Sequence, residues 1–368
     1  MRALKAYVVS VTLLVSFSVI ALAQKPTIID GTPLLAAKPS GDIDEAAILN
    51  EAAAATNVPL WSSHFTSGGK TYTYTMVGAN PTTSNATTKI ATVIIPLKFK
   101  FGSTIISPTN GACGDTTPVL TRVTKSPLFN NLTYKDGTTT VGTGEYIDVF
   151  QRANFWQSVG SVTPNYHTTL SPVTVAAAQT ITVPAASGKV AGSACTGHPV
   201  GEVDMTFVMN KLPGLLTALK IPKTTFPLFV SYDVVESSGG GCCTFGWHFF
   251  TSTNQTYGIG TYLDSGLFSG SADISALSHE VGEWMNDPFG SNIVPTWGHI
   301  GQVAGCQTNL EVGDPLSGTV FAAKLNGFTY HMQDLAFFSW FARQSPSIAI
   351  NGQYSVLKHL TGPSKACQ

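Results

Sequence analysis

The stretch Ser271-Ala-Asp-Ile-Ser-Ala-Leu-Ser-His279-Glu280-Val-Gly-Glu283-Trp-Met-Asn-Asp287-Pro288 decides how this chain is read. It is expected to be a helix. Ser271 or Asp273 can cap its start and Pro288 stops it. Leu277, Val281, Trp284 and Met285 cluster on one side at helical spacing. Positions four apart nearly superpose on an α-helix, so His279 and Glu283 project side by side, with Glu280 about a quarter-turn round. The apolar side is expected to enter the core and the His/Glu side to face a cleft, Gly282 allowing close approach on its flank. A metal hydrolase needs this arrangement. Two donors one turn apart hold the ion, a third comes from elsewhere, and a neighbouring carboxylate takes a proton from metal-activated water.

Downstream, Asn309-Leu-Glu311-Val-Gly-Asp314-Pro315 offers two third ligands, Glu311 and Asp314, and Pro295-Thr-Trp-Gly-His299 offers another. His331 and Asp334 are expected one turn apart at the start of a last helix, Met332 to Phe341. There they orient a ligand from behind or make a helix-start hydrogen bond. His248 reads as a packed histidine, and Asp287 as the cap of the turn at Pro288. Upstream the texture is β-rich. Strands are expected at Lys70 to Val77, Ile90 to Phe101, Phe226 to Glu236 and Thr256 to Leu263. Glu145 to Val159 has helical spacing, and Val203 to Leu219 reads as an amphipathic helix that Pro213 and Gly214 interrupt. No repeat or Pro-rich linker divides the chain, so residues 61–368 are expected to form one α+β domain with a mixed sheet and a C-terminal helical part.

His279-Glu280-Val-Gly-Glu283 resembles the HExxH helix of zincin metallopeptidases. That resemblance implies a zincin-like fold, Zn2+ as cofactor, His279 as a zinc ligand and Glu280 as general base. Position 283 holds Glu where that family holds His. A glutamate reaches a metal about as well, and its negative charge makes the ion less Lewis-acidic. Zincins of the glutamate type take their third ligand from a carboxylate after the helix, which points by analogy to Glu311 or Asp314. The pattern HExxExxxDP followed by ExxD is also similar to that of the plant phosphate-induced, exordium-like exported proteins. The mature chain as a whole resembles a family of bacterial exported proteins.

The chain's opening, MRALKAYVVSVTLLVSFSVIALAQ, has a basic start, an apolar run and the small-residue pattern Ala21-Leu22-Ala23, and reads as a signal peptide over residues 1–23. Residues 24–60, with a short helix expected from Asp42 to Ala55, read as a flexible lead-in or pro-segment. A secreted or periplasmic protein with no membrane span after cleavage is expected. Only 11% of residues are charged and the net charge is −1. Without a basic patch to neutralise phosphates, nucleic acid is not an expected partner. The six cysteines, an even number in an exported chain, point to disulfides, with the adjacent Cys242 and Cys243 each reaching a different distant partner. Neither a phosphate-binding glycine loop nor a GxSxG elbow is present.

The residues together support an exported zinc-dependent metallohydrolase acting on peptide or cell-wall peptide bonds. His279, Glu283 and Glu311 or Asp314 hold one ion, and another divalent metal is an option. An Fe(II) site would require a second histidine from His299, His331 or His248. The rival function is a non-catalytic exported binding or cell-surface module in which a metal or carboxylate cluster is structural.

Overall fold

A computed structural model describes residues 57–368 apart from Gly240. The signal-peptide segment, the helix expected from Asp42 to Ala55 and most of the lead-in lie outside the described residues. The fold is α+β with sheet predominating. The central sheet runs in the order Gln179–Val183, Ala91–Phe101, Thr225–Tyr232, Thr256–Phe268, Gly246–Phe250. Its first four strands are parallel, and Gly246–Phe250 returns antiparallel along the edge. Ala91–Phe101 has strand neighbours on both sides, and Ile94, Ile95 and Leu97 expose no surface. That placement explains why the run is apolar without alternation, as strands covered on both faces are.

The strand expected from Phe226 to Glu236 is two strands. Thr225–Tyr232 belongs to the central sheet, and Val234–Ser238 joins a second, four-stranded sheet with Gly188–Cys195, His198–Asp204 and Gly241–Thr244. Asp233 between them adopts a left-handed φ of 47°, which turns the chain from one sheet into the other. Its Oδ1 accepts from the Asp264 amide at 2.8 Å, a bond that ties the turn to the neighbouring Thr256–Phe268 strand.

Three helical expectations are corrected. The segment from Val203 to Leu219 is the end of a strand followed by two short helices, Met205–Met209 and Leu212–Ala218, with Pro213 in the first turn of the second. No helix runs from Met332, and the C-terminal part holds only short helical pieces. Val320–Leu325 and Phe328–Gln333 form a hairpin in which Leu325 pairs with Phe328 across Asn326-Gly327. Both turn residues have positive φ, 50° and 85°, the conformation an Asn-Gly hairpin turn requires. Beyond it the helical pieces are short, Phe338–Phe341 and the 3-10 turn Ile350–Gly352. The site helix spans Ser275–Asn286 rather than starting at Ser271, because Ser271–Asp273 pairs with the Thr256–Phe268 strand.

The site helix beds on glycine. Gly246 and Gly260 are register partners on adjacent strands. A Cβ on Gly260 would come within 2.8 Å of Leu277, and one on Gly246 within 2.7 Å of the Glu280 side chain. Trp284 stacks on Phe226 with ring centroids 3.6 Å apart and donates its indole N–H to Thr256. Leu277, Val281, Trp284 and Met285 are fully buried, each contributing about 1.5–3 kcal/mol of apolar burial. The His/Glu side is buried as well, so this helix is enclosed all round rather than amphipathic against a cleft.

Disulfides join Cys113 to Cys195 and Cys306 to Cys367. The third joins Cys242 to Cys243, correcting the expectation of separate partners: the other four cysteines are already paired, and a cis peptide turns the adjacent pair toward each other. Among the described residues no helix is long and apolar enough to cross a membrane.

Candidate metal centre

Four segments build the centre: the Gly246–Phe250 strand, the site helix, the loop around residues 310–316 and the strand Phe328–Gln333. The helix presents His279, Glu280 and Glu283, none with exposed surface. The loop supplies Glu311 and Asp314, both buried. His279 Nε2 lies 3.0 Å from Glu283 Oε1 and 3.6 Å from Asp314 Oδ1. Two ligands on one tetrahedral ion stand about 3.3–3.5 Å apart, since each bond is about 2.0–2.2 Å. One ligand atom from each of His279, Glu283 and Asp314 fits within a 4.8 Å span.

The loop is bolted to the helix through backbone. The amides of Gly313 and Asp314 donate to Glu283 Oε1 at 3.1 and 3.2 Å, and Gln333 donates its side-chain amide to the Gly313 carbonyl at 2.7 Å. Gly313 lies against the His279 ring, and a Cβ there would fall 2.3 Å from Nδ1. Asp314 is held by amides of Gln302 at 2.5 Å and Gln307 at 3.0 Å, one on each oxygen. Hydrogen bonds of this kind orient carboxylates that ligate metals.

Burial dominates the electrostatics. It pushes the carboxyls of Glu280, Glu283 and Asp314 well above the usual range, and their mutual repulsion adds to it. For Glu283 the two loop amides work the other way. Burial also lowers the His279 pKa, against the pull of Asp314. Glu280 carries both carboxylate oxygens, and Glu283 its Oε2, buried without a hydrogen-bond partner. Leaving such groups uncompensated is costly, and a cation is one remedy.

The other expected site residues fall elsewhere. His299 is exposed where the strand Ile293–Ile300 turns, beside Cys306 and Cys367, whose sulfurs are committed to a disulfide. His331 sits on a strand rather than a helix. Its Nδ1 is 2.6 Å from Asp273 Oδ2 and its amide donates to Asp273 Oδ1 at 2.7 Å, which fastens the chain two residues before the site helix. Asp334 accepts from the Leu357 amide and contacts His359 at 2.8 Å. Asp287 accepts from the amides of Ser291 and Asn292, as a turn cap does.

His248, read from sequence as a packed histidine, belongs to the cluster. Its Nδ1 is 3.5 Å from Glu280 Oε2 and 3.9 Å from Glu283 Oε2. The usable signal was Gly246-Trp-His248. Residues two apart share a strand face, and the glycine that makes room for Glu280 marks that face as the helix's. Comparison with protein-family models, curated proteins and solved structures finds no match for the chain.

Proposed function

We propose that this protein is an exported metal-dependent hydrolase of zincin-like organisation, acting on peptide or cell-wall peptide bonds, with zinc as its favoured ion. His279, Glu283 and Asp314 hold the ion, and Glu311 borders the same space. The carrying observation is Glu280, a buried carboxylate with both oxygens unpartnered, one residue from His279. A bound dication would supply Lewis acidity and activate water at neutral pH. Glu280, buried beside the ion position with no hydrogen-bond partner, is placed to accept a proton from water and return it to the leaving amine. The Gly313 and Asp314 amides keep Glu283 aimed at the ion.

The complete burial of His279, Glu280 and Glu283 favours a second reading, a structural ion in a non-catalytic exported module. Glu280→Gln separates the two. In a hydrolase it keeps the ion on His279 and lowers peptide hydrolysis by about 10²–10⁴-fold, the usual worth of a general base. Unchanged hydrolysis in this variant, or a wild-type protein that takes up no zinc, overturns the hydrolase.

A further inference from the structure

We propose that the cluster contains a second cation position, formed by His248 Nδ1, Glu280 and Glu283 Oε2, which shares Glu283 with the position on His279. The proposal rests on reading the cluster as a metal centre and adds to that reading an ion and two ligands, His248 and Glu280 Oε2, leaving Glu280 Oε1 as the proton acceptor.

Three observations carry it. The first is the orientation of His248. Its Nε2 lies 2.9 Å from the Asp287 carbonyl oxygen, which can only accept, so Nε2 carries the hydrogen. In the neutral ring Nδ1 is then the nitrogen with a lone pair, and it faces carboxylates. Metal-bound histidines are commonly oriented in this way, donating their other N–H to a backbone carbonyl. The second is the pair of separations, 3.5 Å to Glu280 Oε2 and 3.9 Å to Glu283 Oε2. Both are longer than a charge-assisted hydrogen bond of about 2.7–2.9 Å, and they approach the spacing of ligands around a shared ion. The three donor atoms lie within 4.8 Å of one another.

The third is the division of labour within Glu283. Oε1 takes the two loop amides and faces His279, while the buried, unpartnered Oε2 faces His248. A carboxylate with each oxygen turned to a different histidine has the geometry of a bridge between two ions about 3.5–4 Å apart. Charge points the same way. Glu280, Glu283 and Asp314 carry three negative charges when ionised. With one dication these three keep one negative charge and, counting Glu311, the cluster keeps two, which a second dication neutralises. Glu311 Oε2, 3.9 Å from His248 Nε2, adds a fourth carboxylate to the same space. Imidazole and carboxylate donors suit zinc, manganese or iron(II).

The test is metal stoichiometry of the purified mature chain after equilibration with zinc and, separately, manganese, beside His248→Ala and His279→Ala. About two ions per chain, falling to about one in each variant, is expected. One ion per chain that persists in His248→Ala overturns the second position and leaves the first intact. One ion lost in His248→Ala but kept in His279→Ala supports the His248 position and overturns the ligand set proposed above. No ion in wild type overturns both. If His248→Ala fails to fold, electron paramagnetic resonance of the manganese-loaded wild type decides: a spin-coupled pair is expected, and the six-line spectrum of isolated ions alone overturns the proposal.

Discussion

Replacing Gly313 by alanine should damage the centre through one methyl group. Gly313 has φ −87° and ψ −34°, a conformation alanine adopts freely, so the substitution tests space and not backbone strain. The added Cβ would lie 2.3 Å from His279 Nδ1, 2.5 Å from Cε1 and 2.7 Å from Cγ. The shortest of these is about 1 Å inside an ordinary contact, and the ring it meets is rigid and fully buried. Either the ring or the loop must move. Overpacking of this kind costs about 1–3 kcal/mol, and each kcal/mol lowers the melting temperature of a large domain by about 2–4 °C. The loop also carries Asp314 and the amides on Glu283, so zinc affinity should fall at least about 10–100-fold. Differential scanning calorimetry of the metal-free protein and zinc titration measure the two effects. Gly305→Ala, where a Cβ meets nothing within 4 Å, is the control and should be near neutral in both. A Gly313→Ala protein with wild-type melting temperature and zinc affinity would refute the packing of loop on ring.

Burial pushes the Glu236 carboxyl up to about 8, from an ordinary value of 4.5. Between those values the folded state keeps a proton the unfolded chain has released, so metal-free stability should fall as pH rises across that window, and Glu145, pushed up to about 7, acts in the same direction. Glu236→Gln keeps an acceptor for Trp247 and should be level with wild type near pH 4 but more stable at pH 8.5, by an amount on the order of a few kcal/mol; melts that differ equally at both pH values refute this. His331 is raised in pKa chiefly by its hydrogen bond to Asp273, so its stabilisation is complete below about pH 6.5 and disappears as pH rises through the folded value. His331→Gln should therefore lose more stability at pH 5.5 than at pH 9 in urea titrations, and a pH-independent loss would contradict the pairing. Removing the Cys306–Cys367 bridge with paired serines opens a loop of sequence separation 61 and should cost about 2–4 kcal/mol in denaturant unfolding while zinc stoichiometry stays unchanged; loss of zinc together with the bridge would tie the centre to the C-terminus.

The site helix was legible because its information is local. His279 and Glu283 are one turn apart, Pro288 stops the chain, and the apolar residues fall at helical spacing. The same locality made strands readable from Ile90 to Phe101 and from Thr256 to Leu263, the second running on to Phe268 in the fold. What stayed hidden depends on residues distant in sequence. Gln302, Gln307 and Gln333 look like surface amides until the fold aims them at Asp314 and Gly313. His248 looks like any strand histidine until the helix is laid over Gly246 and Gly260. The misread end of the chain is a different case, because Asn326-Gly327 between alternating runs is a local hairpin signal that outweighs the helical spacing of Met332 to Phe341. Asp233 is intermediate: a continuous β-prone run conceals a left-handed residue that only the demand for two sheets explains.

The loop that carries Glu311 and Asp314 follows the histidine strand by more than 60 residues. The strand and the helix bring His248, Glu280 and Glu283 together without either acid. Repulsion between Glu280 and Glu283 is therefore present once the helix is docked. Closing the 310–316 loop adds Glu311 and Asp314 to it. Loop closure is the step that concentrates the charge, and the one that ion binding would favour. Metal-free molecules are expected to open there first, exchanging the Gly313 and Asp314 amides while the sheet beneath stays protected.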